Sequence, residues 1–145
     1  MAGPSSIRFD PEVFRRLTAY VAAHPEVTLS SATNRLVDEA LRSHEHPLIV
    51  FRDGPAGRRA RLSGGPDVWQ VVRAVRSAHS EPGLTADEVV ALVVETSGVP
   101  EVFVRAAVAY WADHGDEVDA LVARADDEEA QARRRWEQEQ GLLAG

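Results

Sequence analysis

The sequence predicts a mainly α-helical fold with short β elements, arranged in three consecutive segments. Residues 1–43 contain a short alternating strand pattern followed by two amphipathic helical stretches, and residues 44–115 contain a β-hairpin pattern followed by three helical stretches. Residues 116–145 are highly polar and predict a C-terminal helical tail. We therefore expect a small module, a compact domain and a terminal segment within 145 residues.

The composition excludes several classes of protein. No apolar run is long enough for a transmembrane helix, and the N-terminus lacks the basic and apolar regions of a secretory signal. The chain has no cysteine, which excludes disulfides and thiolate metal sites and is consistent with a cytoplasmic location. The net charge of −7 is uneven, because residues 1–80 have 11 Arg and 8 acidic residues, whereas residues 81–145 have 5 Arg and 15 acidic residues. Any nucleic-acid surface is therefore expected in the N-terminal half.

The first predicted element is a strand over residues 5–9. Ile7 and Phe9 are apolar, whereas the alternating residues Ser6 and Arg8 are polar. This alternation is the period-two pattern of a half-buried strand. The strand is very short and no hairpin partner follows it, so its backbone donors and acceptors need partners from elsewhere.

Two helices follow this strand. Asp10 and Pro11 form a helix start, and one face of the first helix is apolar through Phe14, Leu17 and Val21. His24, before a proline, is predicted to end it. The second helix starts where Thr28 or Ser30 can cap it, and it is predicted to end near residue 43. A module of about 40 residues buries too little apolar surface to be stable alone.

A second chain would supply partners for the unpaired strand and additional apolar surface for the small module, if the two chains pair their strands antiparallel and interlock their helices. In element order, spacing and helix start, residues 5–42 resemble the ribbon-helix-helix regulators of the CopG and Arc type. The resemblance implies a homodimer formed through the N-terminal strand, with a strand face in the major groove of operator DNA that presents Ser5, Ser6 and Arg8. It also implies phosphate contacts at the start of the second helix, from Thr28, Ser30 and Ser31. The alternative is a strand paired within the chain, with Arg8 as a solvated surface charge.

A hairpin and three helices are predicted for residues 44–115. Strands at residues 48–51 and 58–62 flank a run of turn-forming residues. The arginines at positions 58, 59 and 61 form either a phosphate-binding patch or an exposed strand, and the sequence does not decide between them. The helices are predicted over residues 67–79, from Thr85 up to a turn at residues 97–100, and over residues 101–114, with Thr85 and Glu88 forming a capping box at the second.

This arrangement resembles a winged-helix antitoxin domain. The residues that match are the aromatic helix 108–114 and the acidic stretch 116–118, which correspond to the end of that domain. The resemblance implies a second DNA-binding region. The alternative is a helical spacer or dimer-supporting domain that does not touch DNA, and the acidity of residues 81–145 favours this alternative.

The tail is predicted to bind a partner. Its apolar stripe is sparse, and Trp136, Leu142 and Leu143 have little local core to enter. A polar helix with isolated apolar anchors is typical of a segment that orders on contact with another protein. The alternative is an ordinary frayed terminus with an incidentally exposed tryptophan.

A DNA-binding N-terminus joined to a partner-binding C-terminus resembles the VapB-type antitoxins of type II toxin–antitoxin systems. The resemblance implies autorepression and a PIN-like ribonuclease toxin, whose Mg²⁺-binding carboxylates would receive an antitoxin arginine. The toxin-binding residues that it implies are Arg133, Arg134, Arg135, Trp136, Leu142 and Leu143. The alternative is a stand-alone ribbon-helix-helix repressor with no toxin partner.

An enzyme is not expected, and no cofactor or metal is predicted. His44 and His46 resemble a metal pair, but no further ligands follow at a suitable spacing, so solvated linker histidines are expected. Asp113 and His114, with the acidic residues 116 and 117, lie on one polar turn and need no catalytic role. There is no phosphate-binding glycine loop and no nucleophile elbow.

Overall fold

A computed structural model of the protein describes residues 3–145. In this range the chain is mainly helical, with one short antiparallel sheet, as the sequence predicts. In chain order the elements are α1 (Pro11–Ala23), α2 (Leu29–Glu45), β1 (Ile49–Gly54), β2 (Gly57–Leu62), α3 (Val68–His79), α4 (Ala86–Ser97) and α5 (Glu101–Ala144). The chain forms two compact units, of which the first ends at Arg42 and the second spans Ser43–Gly145. No helix in the described part is long and apolar enough to cross a membrane.

The N-terminal segment, residues 3–10, forms neither a helix nor a strand in the single chain. Within residues 3–145, the sheet consists of β1 and β2, so the alternative in which this segment pairs inside its own chain is not observed. Phe9 is half-buried, and its ring centroid lies 6.2 Å from that of Phe14. The strand at residues 5–9 therefore remains a prediction for a pair of chains.

Helix α1 and the part of α2 up to Arg42 make up the rest of the first unit. Pro11 occupies the start of α1, where its missing N–H has no intrahelical acceptor to lose. At the other end, the ring of His24 stacks on Tyr20 at a centroid distance of 4.1 Å. Arg35 of α2 donates a hydrogen bond to the Tyr20 hydroxyl, which links the two helices. The two-helix prediction is thus confirmed in this unit.

The sheet of the second unit is the predicted hairpin. The register pairs Ile49 with Leu62 and places Gly54 opposite Gly57 at the turn. Gly57 has φ of 97°, a backbone conformation that side chains with a Cβ rarely adopt. Ile49 and Leu62 are buried, so the end of the hairpin away from the turn faces the core.

The three helices that follow pack against this hairpin. Thr85 and Glu88 form the predicted capping box of α4, and Gly98 ends α4 in the left-handed conformation with φ of 73°. The core of the unit contains a buried tyrosine and several fully buried aliphatic residues from β1, β2 and all three helices, namely Tyr110, Ile49, Leu62, Val68, Val93, Val104 and Val118.

Helix α5 runs on beyond the predicted boundary of the three-helix region. It spans Glu101–Ala144, with one residue, His114, outside helical geometry (φ −132°, ψ 38°). Beyond this interruption, Val118 and Val122 are buried, so the sparse apolar stripe of the tail packs as part of the second unit. Every residue from 131 to 145 is exposed.

Candidate nucleic-acid and partner-binding surfaces

The predicted groove-facing residues lie at the start of the described chain. Ser5, Ser6 and Arg8 are all exposed, and all belong to the segment that precedes α1. Ile7, which alternates with them, is 68% exposed. An exposed isoleucine between polar residues is the arrangement expected of a strand whose apolar side has no cover in the single chain.

The predicted phosphate contacts lie at the N-terminus of α2. The backbone N–H of Ser31 donates to Thr28 Oγ1 at 3.1 Å, and the N–H of Thr28 donates to Ser31 Oγ at 3.0 Å. Thr28, rather than Ser30, is therefore the capping residue. Ser30 lies exposed on the first turn, where backbone N–H groups and the helix dipole favour an anion.

The two helices of the first unit expose most of their apolar side chains. Among the described residues up to Arg42, the buried hydrophobic residues are Leu17 and Ala32. By contrast, Phe14, Val37 and Leu41 are 45%, 51% and 56% exposed. Between the helices lies a groove of about 430 Å³ with a mainly apolar lining, which includes Phe9, Val13, Leu17, Tyr20, Leu36 and Val37. Soluble chains seldom leave such a face uncovered.

The three arginines of β2 all have partners within the second unit. Arg58 contacts Asp53 at 3.3 Å, and Arg61 donates to the carbonyl of Gly65 at 2.8 Å. Arg59 pairs with Asp67, the buried N-cap residue of α3. These contacts favour the exposed strand over the phosphate patch, because each guanidinium already has an acceptor.

The acidic stretch after the α5 interruption is paired with α3. Arg73 of α3 contacts Asp126 at 2.8 Å and also pairs with Glu129, while Arg76 pairs with Asp119. The hydrogen bond from Arg73 holds the pKa of Glu129 below its usual range. Hydrogen bonds from Trp111 and then Arg76 lower the pKa of Asp119. This stretch is therefore bound to its own unit.

The predicted toxin-binding residues lie on the exposed end of α5. Trp136, Leu142 and Leu143 are 60%, 84% and 79% exposed. Arg133 reaches Glu129 at 3.5 Å and Arg135 reaches Glu139 at 3.2 Å, both along the same helix. Such exposed pairs along one helix contribute little to stability.

One cluster was missed by the sequence prediction. Glu45, His46 and His114 each offer a metal-ligand atom, and these atoms lie within 4.8 Å of one another. The sequence prediction paired His46 with His44, which is not in this cluster. His114 comes near His46 only through the packing of α5, so no local spacing could have revealed it.

No family model, curated protein or solved structure matches the chain. What the protein does is therefore inferred from its residues and from the surfaces that they form.

Proposed function

We propose that this protein is the antitoxin of a type II toxin–antitoxin system, which binds operator DNA as a dimer and neutralises a PIN-like ribonuclease toxin. The observation that supports the proposal most strongly is the uncovered apolar face of α1 and α2 in the first unit. A second copy of the chain is the natural cover, because it supplies an identical apolar face and a strand for residues 5–9.

The DNA contacts follow from this dimer. Two antiparallel copies of residues 5–9 would form a ribbon narrow enough for the major groove, with Ser5, Ser6 and Arg8 of each chain on its outer face. Arg8 is suited to guanine, because its planar guanidinium pairs with O6 and N7. The N-terminus of α2, with Thr28, Ser30 and Ser31, is suited to phosphate.

The toxin contacts are assigned to residues 131–145, which are all exposed. Successive residues on a helix are about 100° apart, so the three neighbouring arginines point in different directions. Trp136 and Leu143 follow Arg133 by three and ten residues and lie on its side of the helix, whereas Arg134 lies on the side opposite to them. Arg133 is therefore the best candidate to enter the carboxylate cluster of the nuclease.

The dimer and its DNA binding are tested together with one pair of variants. Val37→Glu places a charge in the apolar face of the first unit, and it should yield a monomer in sedimentation that no longer binds promoter DNA. Val102→Glu is the matched control, because Val102 is a similarly exposed valine of the second unit. A dimeric, DNA-binding Val37→Glu protein would disprove this interface.

Arg8→Ala tests the base contact separately. It should remain dimeric and lose about 1–3 kcal/mol of binding free energy for specific DNA. Unchanged specific affinity in an anisotropy titration would remove Arg8 from the proposed surface.

The toxin contact is tested by deleting residues 131–145, which leaves the Arg73 ion pairs intact. The shortened chain should still bind DNA but should no longer co-purify with a co-expressed PIN-like nuclease encoded beside it. Arg133→Ala should weaken nuclease inhibition more than Arg134→Ala. The absence of any nuclease partner would favour the stand-alone repressor instead.

A further inference from the structure

Three potential metal ligands meet where α5 leaves helical geometry. Glu45 is the last residue of α2, His46 follows it, and His114 is the non-helical residue of α5. All three belong to the second unit, and their ligand atoms lie within 4.8 Å of one another. A tetrahedral ion with bonds of about 2.0–2.1 Å needs ligand atoms roughly 3.3 Å apart, so the side chains need only a small adjustment to close around it.

One nitrogen of the His114 ring lacks a hydrogen-bond partner in the described part of the chain. The ring centroid lies 4.8 Å from that of Tyr110 and 6.0 Å from that of His46. Its Nε2 atom is buried and has no hydrogen-bond partner among residues 3–145. A buried ring nitrogen without a partner is unfavourable, and a metal ion is one way to satisfy it.

His46 is already oriented by a second residue. Its Nε2 lies 2.8 Å from Oδ2 of Asp113, and its side chain is only 12% exposed. An imidazole that donates Nε2–H to a carboxylate presents Nδ1 as a lone pair, which is the arrangement found behind many metal-bound histidines. Asp113 therefore acts as a positioning residue for His46.

We propose that Glu45, His46 and His114 bind one divalent transition-metal ion per chain, with Zn²⁺ as the best match. Two imidazoles and a carboxylate form a nitrogen–oxygen ligand set that suits Zn²⁺ and leaves one position for water. The bound ion would tie the chain that enters β1 to the interruption of α5. This proposal does not depend on the proposed function.

The test is a calorimetric titration of the untagged, chelator-treated full-length protein with ZnCl₂. One ion should bind per chain, and His114→Ala should weaken binding by more than about 100-fold, whereas Asp113→Asn should weaken it by about 10–100-fold. His44→Ala is the matched control, because His44 is an exposed neighbour outside the cluster, and its affinity should equal that of the wild type.

Two further measurements separate loss of a ligand from loss of the fold. Glu45→Gln removes a ligand charge at an exposed position and should weaken binding without changing the circular dichroism spectrum of the metal-free protein. Co²⁺ should give the visible absorption of a tetrahedral site in the wild type and not in His46→Ala. The proposal is wrong if Zn²⁺ shows no saturable binding, or if His44→Ala weakens binding as much as His114→Ala.

Discussion

The two units of this chain bury their apolar side chains to very different extents. The second unit has a core with Tyr110 and Val104 at its centre, both fully buried, whereas the first unit buries only Leu17 and Ala32 among its described hydrophobic residues. The second unit therefore has a hydrophobic core of its own that stabilises it. The first unit has helices and caps but little core, so we expect its stability to come from association.

The largest expected effect is a dependence of the first unit on protein concentration. All three tryptophans lie in the second unit, so tryptophan fluorescence reports its unfolding alone, while circular dichroism reports the helices of both units. On dilution, a dichroism transition should move to lower temperature because the paired first units dissociate. The fluorescence transition should stay in place. If both transitions are independent of protein concentration, association does not stabilise the first unit.

A smaller effect is expected from truncating the core of the second unit. Tyr110 is fully buried, its ring packs against His46 and Phe51, and its hydroxyl donates to Glu117. Tyr110→Ala should lower the free energy of unfolding by about 3–5 kcal/mol, measured by urea and tryptophan fluorescence.

Tyr110→Phe is the matched control, because it keeps the ring and removes only the hydrogen bond. This variant should lower the free energy of unfolding by about 1–2 kcal/mol. An equal loss in both variants would mean that the hydroxyl, rather than the packed ring, stabilises this core.

The smallest expected effect concerns the ion pairs between α3 and α5. The folded-state pKa of Glu129 lies below its unfolded value because of Arg73, so this pair stabilises the fold above the usual carboxyl range. The stabilisation is lost as the pH falls through the usual carboxyl range and then through the lower folded-state pKa of Glu129. Glu129→Gln should therefore be slightly less stable than wild type at neutral pH and equally stable in acid.

The midpoints of urea unfolding at neutral pH and in acid measure this difference in stability between Glu129→Gln and the wild type. Glu128→Gln is the control, because the ion pair of Glu128 is with Arg124 along the same helix and not with α3 in the described part of the chain. Since the groups are exposed, added salt should reduce the effect. If the difference in stability between Glu129→Gln and the wild type persists unchanged in acid, packing rather than the ion pair causes it.

Local signals explain what the sequence predicted well. The capping box of Thr85 and Glu88 depends on neighbouring residues alone, and it appears as predicted. Similarly, the exposure of Trp136 follows from the lack of apolar neighbours at helical spacing. Such features require no knowledge of the tertiary structure.

Long-range packing explains what the sequence did not predict. The pairing of Arg73 with Glu129 joins residues of α3 and α5 that are far apart in the chain, and the sequence offers many equivalent charges. The approach of His114 to His46 depends on the same packing and on the backbone geometry of one residue. The strand predicted at residues 5–9 is not formed in the described single chain, and the sequence prediction assigns its partner to a second chain.

The continuity of α5 from the packed region to its exposed end has a kinetic and entropic consequence. Starting a helix is the unfavourable step, and here the turns that contain Asp126 and Glu129 are already held against α3 before the exposed turns begin. A partner that binds residues 131–145 would therefore meet a helix that needs only to be extended, not nucleated. The ordering cost of binding would fall accordingly, and so would the number of orientations in which an arginine must search for its carboxylates.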